Sequence, residues 1–202
     1  MNHIYLHEIM DCLVELLEVK DSYTKGHSTR VADMSCDFAK ELGVSDELYE
    51  IIHLAAHLHD IGKVGIPDGV LNKGEPLTDE EWLLIKEHPR TGYNVLKKSA
   101  SLSDIAEVVL YHHERFDGKG YPIGLKGQEI PFASRIISIC DSLDAMTTAR
   151  PYRSAMTWED ALVEVQKNAG SQFDPELVKR LGDLPDYWQQ SDDKIIAKHQ
   201  IL

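Results

Sequence analysis

Cysteine is scarce in this chain of 202 residues, which contains three in all. A small, odd number argues against a disulfide framework. Cys12, Cys36 and Cys140 lie in apolar helical contexts, so we interpret all three as reduced core residues. This pattern favours a cytoplasmic protein.

Basic residues and long apolar runs are also in short supply. Lys and Arg number 21 against 34 Asp and Glu, which gives a net charge of −13. Such a surface repels long nucleic acid and makes lipid headgroups poor partners. No segment approaches the ~20 apolar residues of a membrane span. The first residues lack the cationic and apolar regions of a signal peptide.

Hydrophobic periodicity predicts an all-α fold, because no segment alternates convincingly between apolar and polar residues. Helices are predicted at 3–20, 24–42, 45–60, from Thr78 onward, and at 89–98, 102–113, 131–149, 157–169 and 174–181. Gly43 is expected to end the second helix, and Thr78 with Glu81 has the spacing of a capping box. We place one domain at 1–182, in which 1–20 is a former linker or a dimer contact, and a C-terminal tail at 183–202.

One long segment, residues 114–131, cannot be a regular helix. It contains glycine at 118, 120, 124 and 127 and proline at 122 and 131. Loops of this length inside a compact domain are uncommon and tend to be functional. We therefore expect this loop to contribute to a site.

Side chains that commonly bind metals are spread over the predicted helices and their ends: His27, His59, Asp60, His88, His112, His113 and Asp141. At about 100° per residue, His27, His59 and His113 point inward with their apolar neighbours, and His112 lies at the edge of its stripe. Five histidines and two aspartates would thus collect in or beside the core.

A metal centre explains this set better than separate structural roles do. A lone inward histidine is usually a hydrogen-bonded core residue, and we interpret His53 and His57, on the polar side of their helix, as structural. For the whole set, uncompensated burial at several kcal/mol per charge would exceed a stability of about 5–15 kcal/mol. Nitrogen and carboxylate ligands suit Fe, Mn, Zn, Co or Ni. Seven ligands suit two ions, and paired ions activate water in phosphoryl displacement.

Several motifs resemble the HD superfamily of metal-dependent phosphohydrolases. The signature is residues 59–63, HDIGK, and the run at 112–122, HHERFDGKGYP, narrows the resemblance to the HD-GYP subfamily. Further matching motifs lie at 26–28, 88–89, 140–145, 150–153 and 170–175. The resemblance therefore covers about residues 10–182, nearly the whole chain.

The resemblance implies an HD-domain helical bundle with a Gly/Pro-rich GYP loop. It implies hydrolysis of cyclic di-GMP, a bacterial second messenger, to linear pGpG and, in some members, GMP. It implies one metal at His27, His59, Asp60 and Asp141, and a second at His88, His112 and His113 with Asp60 as the bridge. Some members have a glutamate four residues before the first histidine and bind a third metal. Tyr23 stands there, so we expect two divalent ions, with Fe or Mn ahead of Zn, Co or Ni.

The residues expected at the substrate are Lys63, Gly120, Tyr121, Arg150 and Arg153. Lys63, one turn past Asp60, would stabilise the phosphate charge, so these two are the catalytic candidates; a solvated lysine is the alternative. Tyr121 would stack on or bond to a guanine, or else anchor the loop. The two arginines suit phosphate or guanine, because a guanidinium donates in pairs. Surface salt bridges are their alternative.

Other functions stay open from the sequence. One is hydrolysis of another cyclic dinucleotide or nucleotide, because the residues that read the base are not evident. Another is a non-catalytic cyclic dinucleotide receptor or interaction module, acting through a homodimer or a signalling partner. The intact set of ligands favours an enzyme over a receptor.

Overall fold

The computed structural model describes residues 3–21, 25–149, 154–182, 184, 188 and 189. Within these ranges the chain is helical and forms no strand, so the all-α prediction is confirmed. The helices are α1 (His3–Lys20), α2 (His27–Leu42), α3 (Asp46–Leu58), α4 (Asp68–Leu71), α5 (Asp79–Lys86), α6 (His88–Leu96), α7 (Ser103–Tyr111), α8 (Phe132–Thr147), α9 (Trp158–Lys167) and α10 (Pro175–Arg180). Short 3₁₀ turns lie at Ile61–Gly65, Ala100–Leu102 and Gly127–Glu129.

Local signals explain where several helices begin and end. Thr78 and Glu81 form the predicted capping box at the start of α5. Gly43 ends α2 as predicted, with a φ of 66° that glycine adopts without a Cβ penalty. The periodicity did not predict α4, which is four residues long, or the 3₁₀ turn Ile61–Gly65.

The core lies where α2, α3 and α8 meet. α2 packs on α3 and α8, and α7 packs on α3 and α6. Fully buried side chains in these helices include Val31, Phe38, Ile52, Val109, Ile136 and Leu143. Burying a large apolar side chain stabilises the fold by about 1.5–3 kcal/mol. This packing fixes the relative positions of the helices from which the candidate site is built.

Helix α1 is apolar on two sides. Met10, Val14 and Leu17 are buried where the helix packs on α3 and on the 3₁₀ turn after it. The residues that face solvent include Ile9, Leu13, Leu16 and Val19, with exposed fractions of 59%, 40%, 64% and 75%. An exposed stripe of this kind is a candidate contact surface.

The structure tests two expectations, the burial of the cysteines and the lack of a membrane-spanning segment. Cys36 and Cys140 are buried, but Cys12 is exposed, so its interpretation as a core residue is wrong. Cys12 is two positions from both Met10 and Val14, which turns it to the opposite side of α1. Among the described helices, none is both long enough and apolar enough to span a membrane.

The predicted loop at 114–131 is organised by a buried acid. Glu114 accepts hydrogen bonds from the backbone N–H of Ile123, at 2.7 Å, and of Gly124, at 3.0 Å. A buried carboxylate with such partners has its hydrogen-bonding capacity satisfied. The bonds also connect the start of the loop, at residue 114, to residues 123 and 124. Tyr121 lies within this loop, and its backbone N–H donates to His113 O at 3.3 Å.

Candidate metal centre

The seven predicted side chains meet at one place inside the bundle. They are His27 at the start of α2, His59 and Asp60 just past α3, His88 at the start of α6, His112 and His113 just past α7, and Asp141 within α8. His27, His59, Asp60, His88 and His112 are buried, with at most 4% exposure. The chain therefore gathers residues that are far apart in sequence into one polar cluster.

Asp60 stands between two groups of histidines. Its Oδ2 lies 3.4 Å from His59 Nε2 and 3.7 Å from His27 Nε2, and its Oδ1 lies 3.3 Å from His88 Nε2. Asp141 Oδ1 lies 3.3 Å from His27 Nε2. Two sets have ligand atoms within 4.8 Å of one another: Asp60 with His88, His112 and His113, and Asp60 with His27 and His59. One oxygen toward each group is what a bridging carboxylate requires.

Hydrogen bonds orient the histidine rings. Nδ1 of His59, His88 and His112 lies 2.7 Å from the carbonyl oxygen of Ala56, Ile85 and Val109 respectively. A ring that donates its Nδ1 proton to a carbonyl keeps the lone pair of Nε2, which is the form that binds metals. In all three rings Nε2 faces the cluster.

These three carbonyls belong to the last turns of α3, α5 and α7. The last carbonyls of a helix have no donor within the helix, so each ring satisfies one of them. The carboxyl end of a helix also carries partial negative charge. Three such ends converge here, opposite the amino ends of α2 and α6, at which His27 and His88 lie.

The geometry of the nitrogens fits metal ions. His27 Nε2 lies 3.3 Å from His59 Nε2, and His88 Nε2 lies 3.3 Å from His112 Nε2. The inward lone pairs of His88 and His112 cannot bond to each other, and a cation bound by both resolves the conflict. The donor set, nitrogen and carboxylate oxygen without sulfur, suits divalent transition metals.

The carboxylates of the cluster are ionised. Burial opposes ionisation of Asp60 and Asp141, but Lys63 beside the first and His27 beside the second outweigh it. The pKa of both carboxyls is therefore held below its usual range. Both residues thus offer negative oxygens to a cation.

The histidines divide into two kinds. Burial lowers the pKa of His88 and His112, and it lowers that of His113 to about 3, so these rings are neutral at pH 7. Burial also opposes the charged form of His27, but Asp141 and Asp144 raise its pKa to about 9. A metal at His27 must displace a proton, so its affinity rises with pH.

Lys63 lies at the edge of the cluster on the 3₁₀ turn. Its Nζ is 2.7 Å from Asp60 Oδ2 and 3.1 Å from Asp21 Oδ2. Burial opposes its charge, but the two carboxylates raise the pKa of the ammonium above its usual range. Lys63 is therefore a fixed cation, and its action on a substrate phosphate stays a prediction. Asp21, which is buried, was not predicted.

Asp144 is a second residue that the sequence analysis missed. Its Oδ2 lies 2.7 Å from Nδ1 of His27, and Arg30 Nε donates to its Oδ1 at 2.5 Å. It thus orients His27, as the carbonyls orient the other rings. Its spacing of three from Asp141 places both acids on one face of α8, and that signal was present in the sequence.

The two loop residues predicted at the substrate have different surroundings. The ring of Tyr121 lies 4.9 Å from the ring of His113, tilted by 31°. A Cβ on Gly120 would lie 2.5 Å from Glu114 Cα and 2.6 Å from His113 O. Glycine is therefore required for close approach of the backbone, which brings Tyr121 to the cluster. Contact of either residue with substrate stays a prediction.

Three residues of the sequence analysis lie outside the described residues: Tyr23, Arg150 and Arg153. The expected absence of a third metal and the expected contacts of the two arginines with substrate therefore stay predictions.

Helical phase was misleading in two places. His57 was placed on a polar side but is buried, because α2 packs on α3, and its ring contacts that of His53. Neither belongs to a metal-ligating group found among the described residues. His112 is more deeply buried than His113, the reverse of the prediction, because both follow the end of α7, where the helical phase no longer applies.

Comparison with known proteins agrees with this fold and this cluster. The chain belongs to the HD domain family, whose model matches residues 11–177. The resemblance to HD-GYP proteins within that family is confirmed.

Relatives extend over most of the chain. It is 42% identical over 177 residues to the cyclic di-GMP phosphodiesterase of Thermotoga maritima, which covers 87% of this chain and 48% of the relative. It is 37% identical over 194 residues to 3′3′-cGAMP-specific phosphodiesterase 3 of Vibrio cholerae, covering 94% and 42%. The chain thus spans about half the length of these relatives.

A solved structure shows the same fold. It is a HDG"Y"P protein from Bdellovibrio bacteriovorus, with a TM-score of 0.65 at 23% identity, covering 78% of this chain and 51% of that one.

Proposed function

We propose that this chain is a metal-dependent phosphodiesterase that hydrolyses cyclic di-GMP to linear pGpG or GMP. The observation that carries the proposal is Asp60, which directs one oxygen to each of two histidine groups inside the bundle. We propose two divalent transition metals, Fe or Mn ahead of Zn, Co or Ni. His27, His59, Asp60 and Asp141 would hold one, and His88, His112 and His113 the other, with Asp60 shared.

Each residue around the metals has a defined part in the proposal. Bound metals would supply an activated water and stabilise the charge on the attacking and leaving oxygens. Lys63, a fixed cation beside Asp60, would bind a phosphate oxygen. Burial raises the pKa of Tyr121 above its usual range, so its phenol stays neutral and would be able to donate a hydrogen bond to a guanine. We propose that Arg150 and Arg153 contact phosphate or guanine.

The choice of substrate rests on relatives. Cyclic di-GMP is named for the Thermotoga maritima relative at 42% identity. A mixed guanine–adenine cyclic dinucleotide is the second candidate, because the cGAMP-specific relative matches 94% of this chain. A non-catalytic receptor is less well supported, since all seven candidate side chains gather in one cluster inside the bundle.

The protein loaded with manganese or iron is incubated with cyclic di-GMP, 3′3′-cGAMP and cyclic di-AMP, and the products are identified by chromatography. We expect consumption of cyclic di-GMP with release of pGpG or GMP, loss of activity after chelation, and its return with metal. Faster use of 3′3′-cGAMP would move the assignment to the second candidate. A loaded protein that forms no product from any of the three contradicts the proposal.

We also propose that α1 pairs with α1 of a second copy. Leu6, Ile9, Leu13 and Leu16 recur at spacings of three, four and three, which is the a/d repeat of a coiled coil. The acidic residues of the helix, Glu8, Asp11, Glu15 and Glu18, occupy c and f positions away from that seam. Two copies can therefore meet along it without like-charge repulsion. A signalling partner protein is the alternative occupant.

Leu13→Asp should convert a dimer into a monomer, because it places two carboxylates opposite each other in the seam. Size-exclusion chromatography with light scattering measures the mass. Val163→Asp is the control, since Val163 is 61% exposed on α9. A wild-type protein that is monomeric at high concentration would contradict the pairing of α1 with α1. The exposed apolar stripe would then be assigned to a signalling partner protein.

A further inference from the structure

Helix α5 carries a row of side chains that the proposed mechanism does not use. Asp79, Trp82 and Lys86 are spaced by three and four residues, which places them within about 60° of one another on one face. With Leu83 they line a surface depression of about 490 Å³. That size falls within the range of small-molecule sites, about 300–1,000 Å³.

The row adjoins the metal cluster. The Nζ of Lys86 lies 5.7 Å from the centroid of the Tyr121 ring, and the same ring lies 4.9 Å from the ring of His113. Lys86 is also the last residue of α5, two positions before His88. A substrate whose phosphate is at the metals would therefore have a base within reach of this face.

The side chains on this face are available. Trp82 is 48% exposed, although large aromatic residues are usually more deeply buried. Asp79 and Lys86 form no ion pair in the described part of the chain. The neighbouring Glu81, by contrast, is engaged by Lys73 at 2.7 Å and by the capping box.

We propose that Asp79, Trp82 and Lys86 form a guanine-binding site for one base of the cyclic dinucleotide. The inference rests on the proposed function and adds a determinant of specificity to it. Trp82 stacks on the base, Lys86 donates to O6 and N7, and Asp79 accepts from N1–H and N2–H. Lysine is a common partner of guanine O6 and N7, and aromatic side chains are common stacking platforms.

The same donors and acceptors do not suit adenine. Adenine presents an amino donor where guanine has O6, and that donor faces Lys86. It also presents the acceptor N1 where guanine has N1–H, and that acceptor faces Asp79. Because one guanine is enough to fill the site, cyclic di-GMP and 3′3′-cGAMP should both be preferred to cyclic di-AMP.

The test compares the three cyclic dinucleotides with metal-loaded wild type, Lys86→Met, Asp79→Asn and Trp82→Ala. Lys86→Met and Asp79→Asn should each lower kcat/KM for cyclic di-GMP about tenfold, mainly through KM, and leave cyclic di-AMP unchanged. Trp82→Ala should lower kcat/KM about tenfold for all three, because every base can stack. The control is Lys97→Met, since Lys97 lies 4.5 Å from the ring of Tyr93 at the far end of α6.

The outcomes separate this inference from the proposed function. If the wild type hydrolyses guanine substrates and the α5 variants retain its preference, the guanine site is wrong and the phosphodiesterase stands. Equal losses on guanine and adenine substrates in Lys86→Met would also overturn it. If the wild type hydrolyses nothing, calorimetric titration with cyclic di-GMP decides. Affinity for cyclic di-GMP that falls about tenfold in Lys86→Met would support the guanine site. A wild type that does not bind cyclic di-GMP would contradict both the guanine site and the proposed function.

Discussion

Asp60→Ala should reduce the bound metal from about two ions to one or none and bring hydrolysis below detection. The reason is that Asp60 is the only side chain of the seven that faces both histidine groups, with Oδ2 toward His59 and Oδ1 toward His88. Its loss would remove the ligand that we propose both metals share, and it would leave the buried Lys63 with Asp21 as its remaining carboxylate. Metal content by mass spectrometry and turnover of cyclic di-GMP are the measurements.

Asp68→Ala is the matched control for this variant. Asp68 is an acid paired with a lysine, Lys20, at 2.9 Å, but its side chain is 79% exposed. Exposed ion pairs contribute about 0–1 kcal/mol, so this change should alter neither metal content nor turnover. Retention of two ions and of hydrolysis by Asp60→Ala would show that a different carboxylate bridges the metals.

Gly62→Ala should destabilise the protein by about 3 kcal/mol and displace His88. A Cβ at Gly62 would collide with the carbonyl oxygen of His88 and come within 2.5 Å of Gly92 N. Both are backbone atoms, so no side-chain rotation relieves the overlap, and the expected cost is at the upper end of the usual 1–3 kcal/mol for overpacking. For a chain of this size that loss lowers Tm by roughly 6–12 °C.

Calorimetry of the wild type, Gly62→Ala and Gly69→Ala measures this effect. Gly69 lies in α4, and no atom stands within 4 Å of a Cβ built there, so its replacement should leave Tm nearly unchanged. Gly62→Ala should also bind less metal, since its collision is with the residue that would hold the second ion. A Gly62→Ala protein with wild-type Tm would contradict the close packing of the 3₁₀ turn on α6.

Much of this fold follows from periodicity in the sequence. Apolar spacing located α2, α3, α7 and α8 to within a few residues, because one buried face per helix leaves a regular signature. The same reasoning turned His27 and His59 inward. Helical phase was wrong for His57. The side of α3 that carries His57 is buried because α2 packs on α3, and the local sequence does not encode that packing.

The candidate site divides in the same way. Its seven metal-binding candidates were visible as residue types that a core does not accept without compensation. The residues around them were less visible: Asp21 contacts Lys63, and Asp144 contacts His27 and Arg30. The three carbonyls have no sequence signal, because any residue supplies a carbonyl and only the helix ends select which one is free.

The spread of the candidate ligands along the chain would make the stability of the fold depend on the supply of metal. The candidate ligands run from His27 to Asp141, so a bound ion would add a cross-link between distant parts of the chain to the packing, hydrogen bonds and ion pairs that already hold them. Anything that binds only the folded state stabilises it by mass action. If the proposed function holds, scarcity of the metal would slow hydrolysis and would also lower the free energy of unfolding of the protein.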